Sequence, residues 1–76
     1  MHRQLVNSSS VFSIGYDADA AILEVELRDG ELYRYFAVPS RVYQEFMAAQ
    51  SKGQFFNDFI RPRFPFSSSG RSGNKK

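Results

Sequence analysis

The stretch Leu23-Glu24-Val25-Glu26-Leu27-Arg28-Asp29-Gly30-Glu31-Leu32-Tyr33-Arg34-Tyr35-Phe36 decides the fold. Apolar and charged residues alternate on both sides of Asp29-Gly30, the pattern of two strands joined by a hairpin turn. The turn can close in two ways. A two-residue loop pairs Arg28 with Glu31, sets Val25 opposite Arg34 and drives that arginine into the core, where an unpaired charge is costly. A three-residue loop, with Gly30 in the left-handed position, pairs Val25 with Tyr33 and Leu23 with Tyr35. Glu24 then meets Arg34 on the other face as a favourable cross-strand pair. The second register is the expected one. It makes Tyr33 and Tyr35 mainly core residues and leaves Ile22, Leu32 and Phe36 as an apolar strip on the outer face, which either meets a partner or is covered by the arm, the Phe64–Phe66 segment or the tail.

Upstream, Phe12, Ile14 and Tyr16 alternate with Ser13 and Gly15, which predicts a further strand. Asp17-Ala18-Asp19 reads as a turn. Downstream, Pro39 stops the third strand and opens a helix over residues 39–50, in which Val42, Tyr43, Phe46 and Met47 recur at helical spacing. Gly53 suits a left-handed cap or linker after it. Phe55, Phe56, Phe59 and Ile60 predict a short second helix near residues 54–60, and Pro62 closes it. The expected architecture is α+β: a three-stranded antiparallel meander followed by one helix and a short second one, β-β-β-α-α. Residues 1–7 read as a flexible arm and 8–66 as a single domain. Residues 67–76, built of Ser, Gly, Asn, Arg and Lys, read as a disordered basic tail.

The chain has 76 residues and no cysteine, so neither a disulfide nor a thiolate metal site is available. Its eight Phe and four Tyr are the means of building a core in so short a chain. No apolar run reaches the ~20 residues of a membrane helix, and residues 1–6 lack a signal-peptide core, so a cytoplasmic protein without membrane attachment is expected. The net charge is +2, but Arg71, Lys75 and Lys76 carry three positive charges in the tail with no acid, leaving −1 for residues 1–66. The basicity is a tail property, with Arg61 and Arg63 beside it.

Catalysis is not expected. His2 is the only histidine and lies in the arm, whereas a catalytic base needs fixed geometry and an orienting partner. The run Ser8-Ser9-Ser10 has no accompanying base, Asp17 and Asp19 suit a turn, and there is no phosphate loop or zinc-ligand spacing. No cofactor or metal is expected. What the residue types do suit is nucleic acid: the aromatics of Tyr33-Arg34-Tyr35 for stacking, and Arg34, Lys52, Arg61 and Arg63 for phosphate. Asn57 reads as a structural residue bonding backbone at a helix junction.

Five quoted segments together resemble the KTSC domain family: Ser9 with Ile14-Gly15-Tyr16-Asp17; Leu23-Glu24-Val25; Gly30 with Tyr33-x-Tyr35; Val38-Pro39-x-x-Val42-Tyr43; and Ser51-x-Gly53-x-Phe55-Phe56-Asn57-x-x-Ile60-Arg61. The likeness runs from about Ser8 to Phe66. The family takes its name from a C-terminal extension of some lysyl-tRNA synthetases and also occurs as stand-alone small bacterial and phage proteins. The resemblance therefore implies RNA as a partner, tRNA-like or single-stranded, by analogy. The alternative is a protein-interaction or homodimerisation module using the outer sheet face or an edge strand.

Overall fold

The computed structural model describes residues 2–71. The chain forms β1 (His2–Leu5), β2 (Val11–Asp17), β3 (Ile22–Leu27), β4 (Glu31–Tyr35), α1 (Ser40–Ala48), α2 (Lys52–Phe55), a π-helical turn (Phe56–Ile60) and β5 (Phe66–Arg71). The sheet is an antiparallel meander in the order β1-β2-β3-β4-β5.

The central hairpin closes in the three-residue form. Val25 pairs with Tyr33, Leu23 with Tyr35 and Glu24 with Arg34. Gly30 takes φ 95° and donates its N–H to Leu27 O at 3.0 Å. Asp29 Oδ1 accepts from Glu31 N at 3.0 Å and tightens the same turn. Tyr35 is accordingly buried, with Ile14, Leu23, Val25, Val38, Phe46, Phe56 and Ile60 around it. Helix α1 lays Phe46 into this core, with Val42, Tyr43 and Met47 partly buried beside it. Tyr43 stacks on Tyr16 with ring centroids 4.7 Å apart and planes within 8°.

The sheet has five strands, not the three expected. The first addition comes from residues 1–7: His2–Leu5 pairs with β2, setting Arg3 against Gly15 and Gln4 against Ile14. The second comes from the serine-rich end: Phe66–Arg71 pairs with β4, setting Phe66 against Tyr35 and Ser67 against Arg34. Composition misled at both ends for one reason. An open sheet edge offers unpaired N–H and C=O groups, and a polar segment can satisfy them without apolar side chains of its own. Phe66 anchors the last strand through its ring, 5.7 Å from Tyr33 and 5.4 Å from Tyr35. The remainder of the expected tail, residues 72–76, lies outside the described residues.

Two smaller corrections have local causes. Gly53 is not a left-handed cap; it lies inside α2, whose N-cap Ser51 accepts from Gln54 N at 3.2 Å. The second helical segment starts at Lys52 and changes to π geometry at Phe56, where Arg61 N bonds Phe56 O at 3.0 Å. The outer strip is half-covered, Ile22, Leu32 and Phe36 all being partly buried. The serines before β2 are structural: Ser8 Oγ accepts from Ser10 N and Val11 N, both at 3.2 Å.

Candidate functional site

The four cations singled out for phosphate contact fall in different places. Arg34 lies on the outer sheet face, where Nε and Nη2 donate to Glu24 Oε2 at 2.9 and 2.5 Å. Glu24 is only 6 % exposed and also takes Arg3 on Oε1, so one buried carboxylate holds two arginines. Lys52 Nζ donates to Ala49 O at 2.6 Å and satisfies a carbonyl at the end of α1. Arg61 and Arg63 sit beyond the π-helical turn, each over aromatic rings. The Arg61 guanidinium is 5.6 Å from the Phe56 centroid and 6.0 Å from that of Tyr33. The Arg63 guanidinium is 5.7 Å from Phe59. Arg61 and Arg63 therefore share one end of the domain, while Arg34 faces away on the other side of the sheet.

Arg61 also lines a cleft of about 310 Å³. One wall is Ser10, Leu27 and Asp29, from the segment before β2 and the β3–β4 turn; the other is Gly53, Phe56, Asn57 and Arg61. Two local features shape it. A glycine inside a helix costs about 1 kcal/mol relative to alanine, and Gly53 has no positive φ to account for it. It allows close approach instead: a Cβ at 53 would lie 3.0 Å from Ser10 Oγ and 3.1 Å from Ser10 Cβ. The π-helical turn is the second feature. Such single turns are rare and recur at functional sites. Here it brings Asn57 and Arg61 to the same side, with Arg61 Nη1 donating to Asn57 Oδ1 at 3.3 Å.

Sequence reasoning singled out Arg61 but not Ser10, Gly53 or Asn57 as its neighbours. The signal was present in the spacing: Asn57 and Arg61 stand four residues apart, which sets them side by side on a helical surface. What the sequence did not show is that the hairpin turn packs across from them.

A second groove, about 410 Å³, runs between α1 and the segment after the π-helical turn and is lined by Arg41, Glu45, Phe55, Phe59, Arg63 and Phe64 among others. Phe59 is 46 % exposed there. Among the described residues no cluster of three or more His, Cys, Asp or Glu is placed to hold a metal ion. Nor is any helix among them long and apolar enough to cross a membrane.

The model of the KTSC domain matches residues 7–64. The chain belongs to the KTSC domain family. Among its relatives is an uncharacterized protein of Stutzerimonas stutzeri, 48% identical over 63 residues, 83% of this chain and 89% of the relative. A crystal structure of a KTSC domain protein from Yersinia pestis superposes with a TM-score of 0.87 at 45% identity, covering 91% of this chain and 97% of that one. A lysine–tRNA ligase of Nostoc punctiforme carries a similar segment, 38% identical over 58 residues; it covers 76% of this chain but only 10% of the ligase. No catalytic family is indicated by these likenesses. Gly53, Phe56, Asn57 and Arg61, which carried the resemblance in the sequence, all line the cleft.

Proposed function

We propose that this KTSC domain is a non-catalytic RNA-binding module whose contact surface is the end of the domain bearing Arg61 and Arg63. The observation that carries this reading is the setting of those two guanidinium groups. Arg61 lies over Phe56 and Tyr33 and Arg63 over Phe59, within cation–π range of the rings, and apart from the Nη1 of Arg61 that bonds Asn57 their N–H groups suit phosphate. The similar segment in a lysine–tRNA ligase, an enzyme whose name places it with tRNA, supports the same partner class. Lys52, whose ammonium is bonded to Ala49 O at the end of α1, contributes to the overall field. Arg34, held by Glu24 on the far face, contributes to the overall field only.

Binding through so few cations is weak and strongly salt-dependent. With two or three phosphates neutralised, log K against log salt has a slope of about −1.5 to −2 for a single strand. The test is an amide-resolved NMR titration with a short single-stranded RNA and with a tRNA at low and moderate salt. Shifts centred on Arg61 and Arg63, lost in an Arg61→Ala/Arg63→Ala variant, support the reading. Shifts confined to residues 67–76 and erased by salt would sink it.

A second reading, self-association through the outer sheet face, is favoured by Leu5. Leu5 is 72% exposed, and its place in β1 sets it on the face of Arg3 and Glu24. Sedimentation at increasing protein concentration tests it: a constant monomer mass rejects it.

A further inference from the structure

The cleft beside Arg61 has the dimensions and side chains for one ligand unit, and its chemistry is asymmetric. At about 310 Å³ it is at the small end of ligand sites, the scale of a single nucleotide and not of a strand or a large cofactor. The Asn57–Arg61 side carries a guanidinium with a planar donor fork. The facing side carries the Asp29 carboxylate, which repels an anion. A phosphate group is thereby directed to Arg61 and away from the hairpin turn. Asn57 uses its Oδ1 toward Arg61, which leaves the two amide N–H donors for a base edge. The partly buried Leu27 supplies apolar surface to the cleft, and the buried Phe56 ring forms its floor. The Ser10 hydroxyl, brought against the helix by the absence of a side chain at Gly53, is within the same cleft as donor or acceptor for a ribose hydroxyl.

We infer that this cleft holds one unpaired nucleotide, its phosphate on the Arg61 guanidinium and its base edge read by the Asn57 amide. This rests on the RNA-binding reading above and adds to it a site. It treats the mononucleotide and the same unit within a single strand as two sources of one chemistry, and the experiment separates them.

The experiment is a 15N-resolved titration of the 76-residue chain with inorganic phosphate, with each of the four ribonucleoside 5′-monophosphates, and with a single-stranded RNA octamer. The expected result is that mononucleotide and octamer move the backbone amides of Ser10, Gly53, Asn57 and Arg61 together. Phosphate alone should move Arg61 and leave Ser10 in place. Asn57→Ala should weaken the mononucleotide about tenfold, the size of one lost base contact, and Arg61→Lys should weaken phosphate and mononucleotide alike. Both side chains are exposed, so neither change threatens the core. If the octamer binds while the four cleft amides stay still, the cleft proposal falls and the RNA-binding reading survives. If mononucleotides move the cleft and the octamer does not bind, the cleft proposal stands and the RNA reading falls. If phosphate alone reproduces the whole pattern, or Asn57→Ala changes nothing, base recognition in the cleft is overturned. If no probe moves any of the four amides, the proposal is rejected outright.

Discussion

Arg3 on the first strand bonds Glu24 on the third, with only Gly15 between them on the second. The register sets Arg3 beside Gly15, Gly15 beside Glu24, Glu24 beside Arg34 and Arg34 beside Ser67, one row across the outer face. Gly15 has no side chain to raise over β2, so the long Arg3 side chain spans it and reaches Oε1. Arg34 takes Oε2 from the other side.

Glu24 is therefore the most sensitive charge in the domain. Glu24→Gln removes the negative charge, turns one of the two accepting oxygens into an NH2 donor facing a guanidinium, and leaves two like charges on either side of a nearly buried amide. It should cost about 2–3 kcal/mol, below the full penalty for breaking a buried pair because both arginines reach solvent. Arg34→Ala should cost about 1 kcal/mol, since Arg3 still pairs with the carboxylate. Urea titration of the three proteins checks both figures. Equal losses for the two variants would show that the second arginine adds nothing.

Two alanines carry backbone strain. Ala21 and Ala37 take φ 58° and 60°, a region that disfavours a residue with a Cβ. They are linked, because Val38 N, next to Ala37, donates to Ala21 O at 2.9 Å. Ala21→Gly and Ala37→Gly should each raise stability by about 0.5–1 kcal/mol, strain relief exceeding the added chain entropy of the unfolded state. Thermal melts read the result directly. A loss on either change would mean that the conformation is imposed at no cost to alanine.

Tyr35 and Tyr16 set the alkaline limit. Burial pushes the Tyr35 hydroxyl above the ordinary tyrosine value of 10.0; the Arg61 charge works against this and Tyr33 adds to it. Burial and the Asp17 carboxylate push Tyr16 the same way. The folded state then holds protons that the unfolded state releases, so the stability from these groups is intact below pH 10. It declines as pH rises through their folded values. Tyr16 adds a second cause: its hydroxyl donates to Val38 O at 2.5 Å, which a phenolate cannot do. Urea midpoints measured from pH 8 to pH 11.5 should fall above pH 10, and less steeply in Tyr16→Phe. Parallel curves for the two proteins would remove Tyr16 from the explanation.

Gly53 and Ser10 should behave as a coupled pair. Gly53→Ala gains helix propensity but brings a Cβ to 3.0 Å from Ser10 Oγ, so alone it should be neutral or destabilising. In a Ser10→Gly background the obstructing atoms are gone, and the same change should stabilise by about 0.5–1 kcal/mol. A double-mutant cycle in denaturant measures the coupling. Additive effects would show that proximity to Ser10 is not what keeps a glycine there.

The hairpin was legible because charge and turn chemistry agreed. Only one closure of Asp29-Gly30 keeps Arg34 out of the core, and that is the closure found. The helix at Val42–Met47 was legible from its spacing, and so was the family. The edge strands were not. His2-Arg3-Gln4-Leu5 and Phe66–Arg71 have no alternating apolar pattern, and each acquires strand geometry from a neighbour's open backbone. The cleft was half legible. Its helical wall follows from residues spaced within one segment, whereas Ser10 and Asp29 arrive from parts of the chain more than twenty residues away. Only the way the sheet and the helices come together sets Ser10, against Gly53, and Asp29 across the cleft from Asn57 and Arg61.

The position of β5 in the chain fixes when it can join the sheet. The four preceding strands are sequential neighbours, each reachable through a short turn. The fifth is separated from its partner β4 by α1, α2 and the π-helical turn, so pairing them closes a loop of about thirty residues. The entropic cost of that closure falls once the helices have collapsed onto the sheet and brought Pro65 to Phe36, whose N–H donates to Pro65 O at 2.9 Å. Strand β5 is thus expected to join the sheet after the helices have packed. In native-state hydrogen exchange its amides should open well below the free energy of global unfolding, and each such opening uncovers the Tyr33 and Tyr35 rings on which Phe66 rests.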